Sequence, residues 1–349
     1  MLLRAAILTP LRNGRLGYHA DGALLIRNGR IAACGDYAGI SAAHPDAAVR
    51  DLRGGCLLPG FVDAHVHFPQ VRVIGGLGLE LLDWLDRRAL PEEARFAGAA
   101  HAARLAGVFV HELLRHGTTS ALVFGAHFSA ATAALFDAAA EAGLRMTAGL
   151  VLSDRGLRPE LRLTPEAAYR ESADLIRRYH ARGRLRYAVT PRFALSASEA
   201  MLEVCQTLRR EFPGLLAQTH LNENRGEIDQ VARLFPWAPD YFGVYERFGL
   251  GENSVMAHNV HPKPEELERM AAAGTWAAHC PSSNAALASG IFPMAAHLQA
   301  GVPFALGTDV GAGTGFGLAK EALQAHLIQR LTPGGGTLTP AEMLYRATL

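Results

Sequence analysis

A (β/α)8 barrel is the fold class that this sequence predicts, and three observations predict it. Short apolar runs alternate with helix-length amphipathic segments from Phe61 to Leu331. The strand runs are almost continuously apolar, as strands covered on both faces must be. Eight such strand–helix units follow one another in series, which suits a closed parallel barrel. A doubly wound open sheet is the rival arrangement.

The elements follow in order. Residues up to Leu58 read as short strands joined by turns. Gly22–Arg27 leads through Asn28-Gly29 into Arg30–Cys34, a strong hairpin signal. So few strands cannot bury both faces, so residues 1–58 are read as an N-terminal β piece and residues 59–349 as the barrel domain. Strand one is Phe61–Val66, and a long helix from Ala97 to His116 stops at Gly117. Thr118–Phe124 is strand two, and its alanine-rich helix, Ala130–Ala142, stops at Gly143. Arg145–Leu152 is strand three, and Thr164-Pro165-Glu166 opens the next helix with an N-cap threonine and an N1 proline. Strands four to eight are Leu185–Thr190, Leu215–His220, Ser254–His258, Thr275–His279 and Pro303–Gly307. Their helices run over 197–211, 225–234, 264–273, 294–299 and 318–331. The last segment, Thr339 to Leu349, is a capped helix. No strands follow it to partner the N-terminal piece, which predicts a sandwich lacking its C-terminal strands.

Composition narrows the setting. The chain has 349 residues, 49% of them apolar, with a formal net charge of +1, so no global field draws it to nucleic acid or a membrane surface. Four scattered cysteines, Cys34, Cys56, Cys205 and Cys280, form no CxxC pair and read as reduced thiols in a cytoplasmic protein. No apolar run has the length of a membrane span, and the opening segment is too soon broken by Pro10 for a signal peptide.

The chemistry starts at Pro59-Gly60-Phe61-Val62-Asp63-Ala64-His65-Val66-His67. The period of two puts His65 and His67 on one face of a strand, where both can reach one metal ion. Functional groups of such a barrel lie at the C-terminal ends of its strands. Read in order, those ends supply His65 and His67, then His220, His258 and Asp309. Glu223 follows His220 by three residues, where a carboxylate can move protons between water and a leaving group. Three further patterns carry less. His111 and His116 are five apart, off a common helix face, unlike a protease zinc helix. The deaminase signature HxE with PCxxC is absent. Gly311-Ala312-Gly313-Thr314-Gly315, directly after Asp309, reads as backbone near a substrate rather than a phosphate cradle.

This constellation resembles the amidohydrolase superfamily, from roughly Gly22 to Leu349. The general motifs are the Pro59–His67 stretch and Leu306-Gly307-Thr308-Asp309. More specific motifs point to its purine deaminases: His67-Phe68-Pro69-Gln70, Leu81-Leu82-Asp83-Trp84-Leu85 with Pro91 through Phe96, Thr190-Pro191-Arg192-Phe193, Thr219–Asn224 and His279–Asn284. The resemblance implies zinc-dependent hydrolytic deamination of guanine to xanthine and ammonia, by a homodimer with a small-molecule substrate. It implies that His65, His67, His220 and Asp309 hold one Zn²⁺, and that His258 orients the attacking water. Gln70 and Arg192 would bond the polar edge of the purine, Trp84 and Phe193 would wall its ring, and Glu223 would relay protons. Zinc brings the pKa of its water to about 7, Asp309 can take the proton released on attack, and Glu223 can protonate the ring nitrogen.

Two-metal relatives use a carboxylated lysine at the end of strand four. Here that place is Thr190-Pro191-Arg192, and the only lysines are Lys263 and Lys320, so a single metal is expected. Iron or manganese suit similar nitrogen–oxygen sites. The alternatives are a relative acting on a pterin, an oxidised guanine or a triazine, or a non-catalytic ligand-binding relative. Asn222 and Asn259 flank expected ligands with no assignable role.

Overall fold

The structure, a computed structural model, describes residues 1–336 and 338–349. They form two compact units, 1–60 with 338–349, and 61–337.

In the first unit, β1 (Leu2–Pro10), β2 (Leu16–Arg27), β3 (Arg30–Asp36) and β4 (Val49–Leu57) form one sheet in the order β3-β2-β1-β4. The β2–β3 hairpin closes between Arg27 and Arg30, with Asn28 and Gly29 at φ of 51° and 71°. Positive φ at both turn residues matches the right-handed twist of the strands, which is why Asn-Gly was legible there. The final helix, Pro340–Arg346, carries the expected capping box from Thr339 and Glu342. It groups with this sheet, whereas the sequence had assigned it to the barrel segment; the stem of Glu342 lies against Gly14.

The second unit is the barrel. Its strands are β5 (Phe61–His67), β6 (Thr118–Phe124), β7 (Arg145–Gly149), β8 (Val151–Leu152), β9 (Leu185–Pro191), β10 (Leu216–Leu221), β11 (Ser254–His258), β12 (Trp276–His279) and β13 (Phe304–Leu306). They pair in parallel in chain order from β5 to β13, with β8 as a short extension beside β9. An open doubly wound sheet would reverse its strand order at a switch point, and this one does not. The seam between the last strand and the first is bridged just beyond β13, where the Asp309 N–H donates to the His65 carbonyl at 2.9 Å and the His67 N–H to the Val310 carbonyl at 3.0 Å.

Strand three was read as one run to Leu152, but it breaks after Gly149. A Cβ on Gly149 would overlap the Ala188 carbonyl and the Thr190 hydroxyl of β9. The two strands approach too closely there for any side chain. Between strands and outer helices lies the main core, with Phe109, Leu113, Phe136, Tyr187 and Met256 all buried. Short helices at Tyr241–Arg247 and Pro281–Ala286, and helical turns from Leu81 to Ala97, were not read from the sequence. The first two are about two turns long, too short for a helical period to emerge, and the third passes through α, π and 3-10 turns, so no single period runs along it. Among the described residues no helix is long and apolar enough to cross a membrane.

Gly149→Ala is expected to cost about 3 kcal/mol or more, because the obstacle is backbone that cannot turn aside. A urea melt showing less than about 1 kcal/mol lost would contradict the close approach.

Candidate active site

Parallel strands end at one mouth of a barrel, and here five ionisable side chains meet at it. His65 and His67 come from β5, His220 from β10, His258 from β11 and Asp309 from just beyond β13. All five are buried. His67 Nε2 lies 3.2 Å from His65 Nε2 and 3.1 Å from His220 Nε2. Asp309 Oδ1 is 3.2 Å from His65 Nε2 and 3.4 Å from His67 Nε2.

These separations test whether the residues fit a metal. Donor atoms held about 2.0–2.1 Å from a tetrahedral zinc are about 3.3 Å from one another. His220 donates from Nδ1 to the Arg192 carbonyl at 2.6 Å, so its Nε2 lone pair faces the cluster. Burial pushes His65, His67 and His220 below the ordinary imidazole range, which keeps them neutral and able to coordinate. Nitrogen lone pairs converging at such distances repel unless a cation lies among them. His65, His67 and Asp309, and also His65, His220 and His258, have donor atoms close enough to share an ion.

Glu223 and His258 stand beside this cluster, His258 Nε2 lying 3.4 Å from Glu223 Oε2 and 3.9 Å from Asp309 Oδ2. Burial first, and the neighbouring Asp309 carboxylate second, push the Glu223 carboxyl well above its ordinary value. Asp309 goes the other way. Burial opposes its charge, but its hydrogen bond to His65 and the other histidines hold it well below the ordinary range.

One pocket is lined by His67, His220, His258, Glu223 and Asp309 together with Gln70, Trp84, Arg192 and Phe193, and by Leu81, Leu85, Leu287 and Ala312. The structure thus brings every residue named from the sequence to one place; His65 lies behind the pocket wall among the ligand candidates.

Sequence reasoning missed the groups that hold these residues. Ser282, Ser283 and Asn284 open the helix Pro281–Ala286. The Ser282 hydroxyl donates to Glu321 at 2.8 Å, and the Ser283 hydroxyl to Asp309 Oδ2 at 2.5 Å. Asn284 Oδ1 lies 2.9 Å from His258 Nδ1 and so accepts its proton. Glu93 and His127 also went unread. Glu93 Oε2 accepts from Arg192 Nη1 at 2.6 Å and from His127 Nε2 at 3.1 Å, and Glu93 Oε1 accepts from Gln70 Nε2 at 2.7 Å. Burial opposes the Glu93 charge, yet Arg192 and His127 hold its carboxyl well below the ordinary range. The Pro91–Phe96 motif contained the signal for Glu93, though not its role.

Asn222 and Asn259 acquire structural reasons. Asn222 Nδ2 donates to Asn259 Oδ1 and to Glu266, at 3.1 Å each. Their φ values are 51° and 45°, and His258 and Asp309 are also left-handed, at 70° and 48°. Such backbone costs on the order of 1–3 kcal/mol per residue and persists where surrounding bonds over-determine it. Here the Asn259 N–H donates to the Leu221 carbonyl at 2.8 Å and the Val260 N–H to the Asn222 carbonyl at 3.0 Å. In the glycine-rich loop, Gly311, Gly313 and Thr314 spend their amides on Gln70 Oε1, the Asp309 carbonyl and Ser282 Oγ. Amides so engaged cradle no phosphate.

Fold and site together define a barrel hydrolase with a histidine–aspartate metal centre, and comparison places it. The pattern of the amidohydrolase family matches residues 56–349, and that of an imidazolonepropionase-like composite domain of bacteria matches residues 22–47. The chain belongs to the amidohydrolase family, whose members are metal-dependent. Within it, the chain is 57% identical to a probable guanine deaminase of Deinococcus radiodurans, over 95% of this chain and 77% of that one. The solved structure of guanine deaminase from Escherichia coli superposes with a TM-score of 0.96 at 38% identity, over 99% of this chain and 82% of that one. Guanine deaminase from C. acetobutylicum, solved with guanine bound in its active site, superposes with a TM-score of 0.95 at 26% identity, covering 99% and 84%.

Asn284→Ala is expected to lower turnover about 10–100-fold while leaving the fold intact, since it frees His258 to rotate. Steady-state rates beside a circular-dichroism melt check this; wild-type turnover would mean that Asn284 does not position His258.

Proposed function

We propose that this protein hydrolyses guanine to xanthine and ammonia with one zinc ion. The observation that carries the reading is the lining of one pocket. Candidate metal ligands and the Glu223 carboxyl share that cavity with a polar arginine and glutamine and with aromatic and leucine side chains. The relatives fit that lining: the similar proteins named above are guanine deaminases, one holding guanine itself.

His65, His67, His220 and Asp309 would hold the ion, and the lysine-free end of β9 leaves no bridge for a second. When bound, zinc supplies Lewis acidity that lowers the pKa of a water to about 7. The protein's own groups do the rest. Trp84 and Phe193 flank a planar ring, and Arg192 with Gln70 fix its polar edge, so that C2 with its amino group points at the histidine cluster. Asn284 holds the His258 proton on Nδ1, which leaves Nε2 to accept from the attacking water and to orient it. Asp309 Oδ2, ionised and steadied by Ser283, receives the water's proton as the C2–O bond forms. Glu223, protonated because its carboxyl is pushed up, donates to the ring nitrogen beside C2. Left ionised, Glu223 takes the hydroxyl proton as C2=O forms and hands it to the departing amine, so that ammonia leaves neutral, and the proton held by Asp309 restores Glu223 for the next cycle. Burial of all these groups keeps bulk water from competing for their hydrogen bonds.

Ammonia release from guanine by zinc-loaded protein, with adenine, cytosine and a pterin alongside, tests the reading directly. Release from guanine alone is expected. Glu223→Gln keeps the shape and loses the proton, so turnover should fall about 10²–10⁴-fold with one zinc per chain retained by metal analysis. Undiminished turnover in that variant would remove Glu223 from the mechanism.

A further inference from the structure

We infer that Glu93 is a positioning residue that makes the substrate-facing polar edge donor-only, and that it thereby selects 6-oxo over 6-amino purines. The inference rests on the guanine reading above and adds what that reading leaves open, namely what sets the sign of the hydrogen bonds offered to the ring.

An amide such as Gln70 can present either its oxygen or its NH2 to a ligand, and alone it reads nothing. Here both ends are committed. Gln70 Nε2 donates to Glu93 Oε1 at 2.7 Å, and Gln70 Oε1 accepts the Gly311 N–H at 3.1 Å. A carboxylate only accepts, so Glu93 fixes the NH2 toward itself, and the second N–H of that group is what remains for a ligand. The same carboxylate takes an N–H of Arg192 Nη1 at 2.6 Å, turning the guanidinium plane; Nη1 also lies 3.4 Å from His127 Nε2, so the remaining nitrogens, Nε and Nη2, are what Arg192 can offer a ligand. His127 Nε2, 3.1 Å from Glu93 Oε2, completes the shell. Glu93 itself is 2% exposed and does not line the pocket, so it acts through Arg192 and Gln70 rather than on the ligand.

The edge that results offers N–H from both residues. A purine with a 6-oxo group and the adjacent N7 presents two acceptors to it, whereas a 6-amino group presents a donor. Donor against donor leaves buried polar groups unpaired, and a site built to pair polar groups rejects such an analogue strongly.

The test uses two substrates with the same leaving group. Guanine and 2,6-diaminopurine both carry the 2-amino group to be displaced and differ at C6 and in the N1–H that accompanies the 6-oxo group. Wild-type protein should favour guanine in kcat/KM by about 10²-fold or more. In Glu93→Gln, two facing amides satisfy each other in either orientation, so only the Gly311 N–H still opposes the turn that brings the Gln70 oxygen to the ligand. The preference should then shrink at least about tenfold, mostly through KM, with zinc content unchanged. Glu93→Asp, which keeps the carboxylate, should retain most of it. If Glu93 merely braces the pocket, both substrates will lose rate equally and the preference will stay, which overturns the inference. Should Glu93→Gln not fold, competitive inhibition of the wild type decides. Hypoxanthine binding at least about tenfold tighter than adenine supports a donor-only edge, and equal binding overturns it. Failure of the guanine reading looks different: wild-type protein would release no ammonia from guanine at all, whatever the ranking of these ligands.

Discussion

The site exists because the barrel closes, and one buried carboxylate adds side-chain bonds to the backbone bonds of that closure. Asp63, in the first strand, accepts the Thr308 N–H at 3.0 Å and the Thr308 hydroxyl at 2.5 Å across the seam, while also accepting the His65 N–H at 3.3 Å. Thr308 adjoins Asp309 in the chain, and His65 is itself the first histidine of the cluster. The clamp therefore fixes the two edges of the sheet at the level where metal ligands from opposite ends of the chain must meet. Burial pushes Asp63 up to about 7, the cost of placing an acid where only hydrogen bonds, and no cation, compensate it. A loop-borne cluster would leave those distances to fluctuate; a cluster riding on a closed barrel does not.

Much of this was legible in the sequence because parallel barrels repeat. The period-two spacing of His65 and His67, and the recurrence of a polar residue at the end of successive apolar runs, are one-dimensional signals of a shared mouth. His220, His258, Glu223 and Asp309 could be named for that reason. The supporting groups were not legible, because they reach the site from outside the strands. Glu93 sits in short helical turns about 100 residues before Arg192. Asn284 approaches His258 from a helix of six residues. Neither carries a periodicity, and their partners are fixed only by three-dimensional proximity. The glycine-rich loop shows the converse: its amides had a possible ligand on paper, and the fold spends them on Gln70, Asp309 and Ser282.

Positive φ at Asn222, His258, Asn259 and Asp309 follows from the same architecture. A strand must end abruptly if its last side chain is to point into the mouth while the chain turns outward to its helix. Asparagine enters left-handed backbone at modest cost, so Asn222 and Asn259 are suited to the turn after β10 and β11. His258 and Asp309 are not suited to it. They are retained there by cross-strand hydrogen bonds, which means that the fold spends stability at the positions where the chemistry needs exact aim.

The opposed behaviour of the two carboxylates then follows from where each sits around the histidines. Both Glu223 and Asp309 are buried, and burial alone would neutralise both. Asp309 accepts from the Ser283 hydroxyl and lies within the histidine cluster, where its carboxyl is held low. Glu223 has Ser289 at 3.3 Å and, beyond it, the negative field of Asp309 itself. Ionising the first therefore protonates the second. Under the deamination reading the pair would serve as a base and an acid at one pH, both beside His258, whose Nε2 is 3.4 Å from Glu223 and 3.9 Å from Asp309. Hydrolytic deamination requires that division, with one group to receive a proton from water and another to give one to the ring. The barrel supplies it by geometry, since Glu223, just beyond β10, and Asp309, just beyond β13, both reach the mouth where the strands end.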